Sequence, residues 1–350
     1  MGAESRALFG LELTGASRDA PIMVQSPSAS TSAFTRRSAL RTLGCALGAS
    51  VLPNAFGFIS TATAAPPPAA ATASPPATPP PMTLTSLGDR LTMIAGLGGN
   101  IVQLSGNDGS LVIDCGYPNL AAKTMAELGK AGPISMLVNT HWHLDHSGAN
   151  QQCSEAGARI VAHENCRKRL ATDQNIEPLG MKFAASPARA LPNVTFRAET
   201  ELHLNEDDIR LMPVPPAHTD GDLLARFEKA DLIHFGDLFF NGMYPFIDWS
   251  SGGWIGGMVA GVRSGLQMAG PKTRHVPGHG PLATTEELKS YLGFLETMQA
   301  RFEKLKADGK TIDEVLAAGP AKEFDEKLGR GFLKPEQFVR ITYAGLLKHG

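Results

Sequence analysis

The sequence has almost no charge imbalance: 32 Lys and Arg stand against 34 Asp and Glu, for a net charge near −2 at pH 7. That balance excludes the strongly basic surface that nucleic-acid binding calls for. There is also no uninterrupted apolar run of about twenty residues, so no integral membrane segment is expected. A Gly-x-Ser-x-Gly elbow is missing, so nothing calls for a serine nucleophile. Cysteine is scarce, at 4 in 350 residues. Setting aside Cys45, the remaining Cys115, Cys153 and Cys166 are odd in number, and Cys153 and Cys166 either pair or remain buried thiols. What is plentiful is apolar content: 43% hydrophobic residues can supply a substantial core.

The first eighty residues read as lying outside that core. Thr35-Arg36-Arg37-Ser38-Ala39-Leu40-Arg41 has the form of a twin-arginine export signal. A moderately apolar stretch, Thr42 to Ile59, follows, and Ala62-Thr63-Ala64 is a cleavage site of the right kind. The expected division is an export signal at 1–64, a Pro/Ala-rich linker at 65–81 and a folded domain at 82–350, with the mature protein periplasmic or secreted. The stretch ahead of the arginines is long for such a signal, which makes Met23 an alternative start.

Histidine is concentrated rather than common. Asn139-Thr140-His141-Trp142-His143-Leu144-Asp145-His146 follows the apolar run Ile134-Ser135-Met136-Leu137-Val138, which reads as a short buried strand. From an extended backbone, His141 and His143 point the same way, while Asp145 and His146 reach a second point nearby. This suits two adjacent metal ions better than one. Imidazole with carboxylate and no thiolate suits zinc first, and iron or manganese less well.

Further along, short β-branched runs at 91–94, 100–104, 110–114, 158–163, 194–196, 202–204, 209–214, 223–227, 231–235 and 274–277 read as strands. Ala121, Met125 and Leu128 recur at helical spacing, as do Ile255, Met258, Val259, Val262 and Leu266. Two helices are expected to end the chain, opened by the capping boxes Thr284-x-x-Glu287 and Thr311-x-x-Glu314. Residues 171–193 show no period and are taken as a loop over the site or a plain connection. Strands followed by helix, twice over, imply two sheets packed face to face with helices outside.

One loop cannot fill two coordination shells. His218, in a turn-rich loop after a strand, and His279, in Pro277-Gly278-His279-Gly280, sit where strand ends present ligands rigidly. Asp237 follows an apolar strand, where a carboxylate needs a strong partner, and a position between two cations would supply one. His203 and His234 lie inside strands and read as structural or incidental. His349 stands beside the last residue and is a poor ligand candidate.

Taken together, Asn100-Ile101-Val102 with Leu111-Val112-Ile113-Asp114, the His141-x-His143-x-Asp145-His146 motif, His218, Asp237 and His279 resemble the metallo-β-lactamase-fold superfamily of hydrolases. The resemblance covers about 100–281. It implies an α/β fold of the αββα sandwich type, two mixed sheets with outer helices, and a metal site at one sheet edge. It also implies that His141, His143 and His218 hold a first zinc, that Asp145, His146 and His279 hold a second, and that Asp237 bridges them. Asp114 then resembles a residue that orients ligands by hydrogen bonds.

Two such cations would lower the pKa of a shared water enough to give hydroxide near neutral pH for attack on a carbonyl, with Asp145 placing it and relaying its proton. The expected activity is hydrolysis of a small ester, lactone, thioester or β-lactam. One alternative is a dedicated β-lactamase. The aspartate at 237 argues against that reading, while export argues for it. The other is a non-catalytic metal-binding accessory protein of an exported redox or cofactor pathway. No long insertion separates the metal motifs, which argues against RNA or DNA processing, and the C-terminal region is too short for a flavin domain.

Overall fold

Strand residues Ser110–Ile113 show how the chain is layered. Leu111 and Ile113 enter one apolar cluster and Val112 enters another. Leu223–Phe227 behaves alike: Leu223 and Ala225 share the cluster of Leu111, and Leu224 belongs to a third. Successive side chains of a strand leave opposite faces. Each sheet is therefore buried on both faces, with the shared cluster between the sheets and the other two beneath helices.

The structure, a computed structural model, describes residues 81–349 except residue 89. The export signal expected at 1–64 and, apart from Pro81, the linker at 65–81 lie outside the described residues. The first sheet begins with β1 (Thr83–Ser86), β2 (Leu91–Ala95), β3 (Ile101–Leu104) and β4 (Ser110–Ile113), paired antiparallel in that order. It continues in parallel through β5 (Ile134–Asn139) and β6 (Arg159–His163). Then β7 (Gln174–Ile176) and β8 (Met181–Phe183) leave as a separate antiparallel hairpin before β9 (Val194–Phe196) joins β6 in parallel.

The second sheet runs β10 (Thr200–Leu204), β11 (Asp207–Pro213), β12 (Leu223–Phe227), β13 (Leu232–His234) and β14 (Arg274–Val276), antiparallel until the parallel β13–β14 pair. This is the expected αββα arrangement. Between the sheets, Val102, Leu111, Val138 and Val161 meet Leu211, Ala225, Phe227 and Val276.

Helices α1 (Ala121–Leu128), α2 (Leu144–Ser147), α3 (Asn150–Glu155) and α4 (Glu164–Leu170) connect the strands of the first sheet. Ala121, Leu128, Ala149 and Cys153 cover its outer face. Over the second sheet lie α5 (Ile255–Gln267), α6 (Thr285–Ala307), α7 (Ile312–Ala318), α8 (Asp325–Leu328) and α9 (Pro335–His349). Both expected capping boxes form, at Thr284 with Glu287 and at Thr311 with Glu314. In α5, a Cβ on Gly257 would lie 1.8 Å from the Pro216 carbonyl oxygen, so only glycine lets the helix seat on the loop that carries His218.

Two expectations are corrected. The chain ends not with two helices but with a further long one, α9, whose Phe338, Ile341 and Leu346 pack into the cluster that α6 also lines. Residues 171–193 are not all loop, since they contain the β7–β8 hairpin. Strands of three residues are too short to show a period against the Pro and Ala around them. Cys115, Cys153 and Cys166 are free and buried, so Cys153 and Cys166 do not form a disulfide here.

Candidate metal centre

The strand β5 is hydrogen-bonded to β4 on one edge and β6 on the other, and its buried C-terminal end delivers Thr140 to His146 to one edge of the sandwich. The connection from β11 to β12 brings His218 to the same edge, held there as the backbone N–H groups of His218 and Thr219 donate to Asp222 at 2.7 and 2.8 Å. Burial pushes the Asp222 carboxyl up to about 7, against these hydrogen bonds. Asp237 comes from the turn Gly236–Leu238 after β13, and His279 from the loop after β14. The two sheets are tied together at this edge by Asn100, whose N–H donates to Gly278 O at 2.7 Å and whose amide donates to Pro277 O and Gly280 O. A Cβ on Gly278 would sit 2.0 Å from Asp237 Oδ1, so glycine makes room for that carboxylate.

Seven side chains named from the sequence gather in two adjoining groups: His141, His143, His218 and Asp237, and Asp145, His146 and His279. Asp237 stands at the junction. Its Oδ1 is 3.0 Å from His146 Nε2, and its Oδ2 is 3.4 Å from His279 Nε2, 3.5 Å from His218 Nε2 and 4.0 Å from His141 Nε2. Asp145 Oδ2 is 3.2 Å from His279 Nε2 and 3.7 Å from His146 Nε2. The rings of His141, His143 and His218 lie 4.7–4.8 Å apart and nearly perpendicular to one another.

Hydrogen bonds fix which nitrogen each ring presents. Asp114, at φ 60°, accepts from Thr140 N and Thr140 Oγ1, and His146 Nδ1 donates to it at 2.7 Å. The positive φ is one that aspartate tolerates better than most residues. With its hydroxyl proton committed to Asp114, Thr140 Oγ1 accepts from His141 Nδ1 at 3.0 Å. His218 Nδ1 donates to Phe246 O at 2.8 Å, and His143 Nε2 donates to Asp248 at 3.1 Å. On His141, His143 and His218 the opposite nitrogens therefore carry lone pairs. His141 Nε2 is buried with no hydrogen-bond partner among the described residues. His143 Nδ1 faces His218 Nε2 at 2.8 Å. Burial lowers the His218 pKa to about 4, and burial with the neighbouring His146 drives His141 well down, so both are neutral. Neutral lone pairs and a carboxylate converging in a buried space form a donor set for a cation.

At the second group, protons currently do what a cation would do. Burial disfavours the charged rings, but Asp237 and Asp145 outweigh it, raising His279 to about 9 and His146 well above its usual value. Burial likewise opposes ionisation of the carboxyls. His146 and His279 overcome it, holding Asp145 at about 2 and Asp237 well below the usual range. The arrangement is consistent with a binuclear metal site, because a cation there would replace those protons.

An aromatic jacket backs the imidazoles. Phe240 stacks on His279 at 5.3 Å, and Phe246 lies 5.9 Å from His143. Trp142 meets His143 at 4.6 Å and is itself met edge-on by Phe183 at 6.3 Å. Phe183 belongs to β8, so the 171–193 segment reaches the ring behind His143.

The remaining histidines are engaged elsewhere. His234 lies in β13, accepting from Gly236 N and donating to Asn100 O, and exposed His203 pairs with Asp208. His163, His275 and His349 also lie outside the two groups.

Sequence reasoning did not single out Asp248. It is fully buried and caps the turn Trp249–Ser251, accepting from Ser250 N and Ser251 N. Although burial raises its pKa, the hydrogen bond from His143 brings it to about 2. Asp248-Trp249-Ser250-Ser251 carries a local capping signature, but nothing in it points to His143, which is 105 positions away.

Comparison with known proteins agrees with this geometry. The sequence model of the metallo-beta-lactamase superfamily matches residues 94–292. No curated protein sequence matches. Among solved structures, a metallo-beta-lactamase from Pontibacter korlensis aligns with a TM-score of 0.51 at 17% identity, covering 62% of this chain and 99% of that one. The BLEG-1 B3 metallo-beta-lactamase aligns at 0.50 and 19%, covering 61% and 99%. The stereoselective inverting sec-alkylsulfatase Pisa1 from Pseudomonas sp. aligns at 0.53 and 16%, covering 75% of this chain and 50% of the sulfatase. At such identities the likeness is one of fold.

Proposed function

The chain belongs to the metallo-beta-lactamase superfamily, and from that we propose that it is an exported, zinc-dependent hydrolase of a small-molecule ester, lactone, thioester or β-lactam. The observation that carries the reading is the position of Asp237, whose two oxygens face the imidazoles of both ligand groups. His141, His143 and His218 would hold a first zinc, Asp145, His146 and His279 a second, and Asp237 would be shared. When bound, such ions supply Lewis acidity and acidify a coordinated water.

The chain's own residues do the rest. Asp114 and Thr140 orient His146 and His141 so that Nε2 of each ring faces the cluster. Asp145, 18% exposed, and His279, 23% exposed, face the solvent side, whereas His141 and His218 are buried. Asp145 is therefore the carboxylate placed to orient the nucleophile and to take its proton at an Oδ atom. Phe240, Phe246 and Trp142 exclude water behind the ligands, which strengthens the electrostatic interactions within.

The test is turnover of a lactone, a thioester, a chromogenic cephalosporin and a secondary alkyl sulfate by metal-stripped and zinc-reloaded protein. The reading expects zinc-dependent cleavage of a carbonyl substrate. Cleavage confined to the cephalosporin would identify a dedicated β-lactamase. Two tightly bound ions with no turnover of any substrate would favour a metal-binding accessory role.

Export is tested separately. Replacing Arg36→Lys together with Arg37→Lys should leave full-length protein inside the cell, because a twin-arginine signal is read through both guanidinium groups. Cell fractionation with an N-terminal determination of the exported form measures this. Unchanged export and processing of the Lys pair would refute the signal.

A further inference from the structure

A carboxylate on the outer nitrogen of a metal-ligating imidazole fixes its tautomer and raises its basicity. Asp114 serves His146 in this way, and the family resemblance implied an orienting role for it. We propose that Asp248 is a positioning residue for the first metal ion, setting His143 as an Nδ1 ligand by holding the proton on Nε2. This rests on the metal-centre reading above and assigns a role to a residue that reading does not use.

The geometry leaves Asp248 little choice. One oxygen, Oδ1, is committed to the turn, accepting from Ser250 N at 3.1 Å and Ser251 N at 3.3 Å, and these N–H groups can only donate. The other, Oδ2, accepts from His143 Nε2 at 3.1 Å and from the Ser251 hydroxyl. With Nε2 protonated, His143 must present the lone pair of Nδ1, which points at His218 Nε2 2.8 Å away.

The turn is braced on both sides. Trp142 Nε1 donates to Ser251 Oγ at 3.0 Å. On the far side the Lys348 ammonium lies 3.6 Å from the centroid of the Trp249 ring and 3.2 Å from Glu177. Lys348 belongs to the last turn of α9, beyond residues 94–292. The C-terminal helix thus packs on the turn whose cap orients His143.

Asp248→Asn separates positioning from capping. Asparagine caps a helix start about as well as aspartate does, so a capping role predicts little change. The backbone N–H groups, however, will claim the single amide oxygen, turning the NH2 toward His143 Nε2. That nitrogen must then accept, the ring proton moves to Nδ1, and the ring can no longer ligate through it. Asp248→Ser is the companion variant, keeping a cap oxygen on a side chain too short to reach the imidazole.

The experiment is competition titration of metal-stripped protein with zinc, alongside 15N ring shifts of His143 and melting of the metal-free proteins. Asp248→Asn should bind one ion roughly 10–100-fold more weakly, with the other unaffected, and with a protonated Nδ1 at His143. Asp248→Ser should weaken the same ion, and both variants should melt near the parent when metal-free. Parental affinity for both ions in either folded variant, with His143 ring shifts unmoved, overturns the assignment. Failure of the parent itself to bind two ions would instead refute the metal-centre reading.

Discussion

Asp237→Ala is expected to cut kcat by about a hundredfold or more while leaving a folded protein that still binds metal. Asp237 is the one side chain of the cluster whose oxygens approach imidazoles of both groups, at 3.0 Å on one side and 3.5 Å on the other. Without it, each group keeps three protein ligands, namely His141, His143 and His218, or Asp145, His146 and His279. Three ligands suffice to hold zinc, but nothing then sets the spacing between the groups. Misplacing a reacting atom by about an ångström costs roughly a hundredfold in rate, or about 2.7 kcal/mol of barrier. His203→Ala is the control, because that ring is exposed and pairs with Asp208, outside both ligand groups. Measured on whichever substrate the panel reveals, near-parental kcat with Asp237→Ala would remove the aspartate from the junction.

Metal removal should have the other large effect, on stability as well as on rate. The ligands come from β5, the β11–β12 loop, the turn after β13 and the loop after β14, so bound ions would cross-link both sheets at one edge. An ion present at a hundredfold excess over its Kd contributes about 2.7 kcal/mol to the folded state. For a domain of this size each kcal/mol is worth about 2–4 °C, so stripping two ions should lower the melting temperature by roughly ten degrees or more. Turnover should vanish with the metal and return on adding zinc, with about two ions per chain by elemental analysis. A single tightly held ion, unchanged by added zinc, would contradict the binuclear centre.

The candidate ligands were legible because their chemistry is written locally. His141-x-His143-x-Asp145-His146 places four donors on one strand exit, and His218, Asp237 and His279 each follow an apolar run that had to be a strand. The layering was legible too, since strands followed by helix, twice over, imply two packed sheets, and Leu111, Val112 and Ile113 do alternate between clusters on opposite faces. Helix α9 was not legible, because α7 already offered a capped terminus and the intervening Gly-rich stretch hid the return to a helical period. The β7–β8 hairpin was hidden by its brevity.

The division follows from the range of the forces involved. Periodicity, caps and ligand spacing act over a few residues, so the sequence alone determined most of the longer strands, the capped starts of α6 and α7 and the candidate donor set. Which nitrogen of each ring faces the cluster depends on partners far along the chain. Thr140 with Asp114 is separated by 26 positions, His146 with Asp114 by 32, His218 with Phe246 by 28 and His143 with Asp248 by 105. A proton on an imidazole goes to whichever nitrogen meets an acceptor, and only the tertiary structure decides where the acceptors stand.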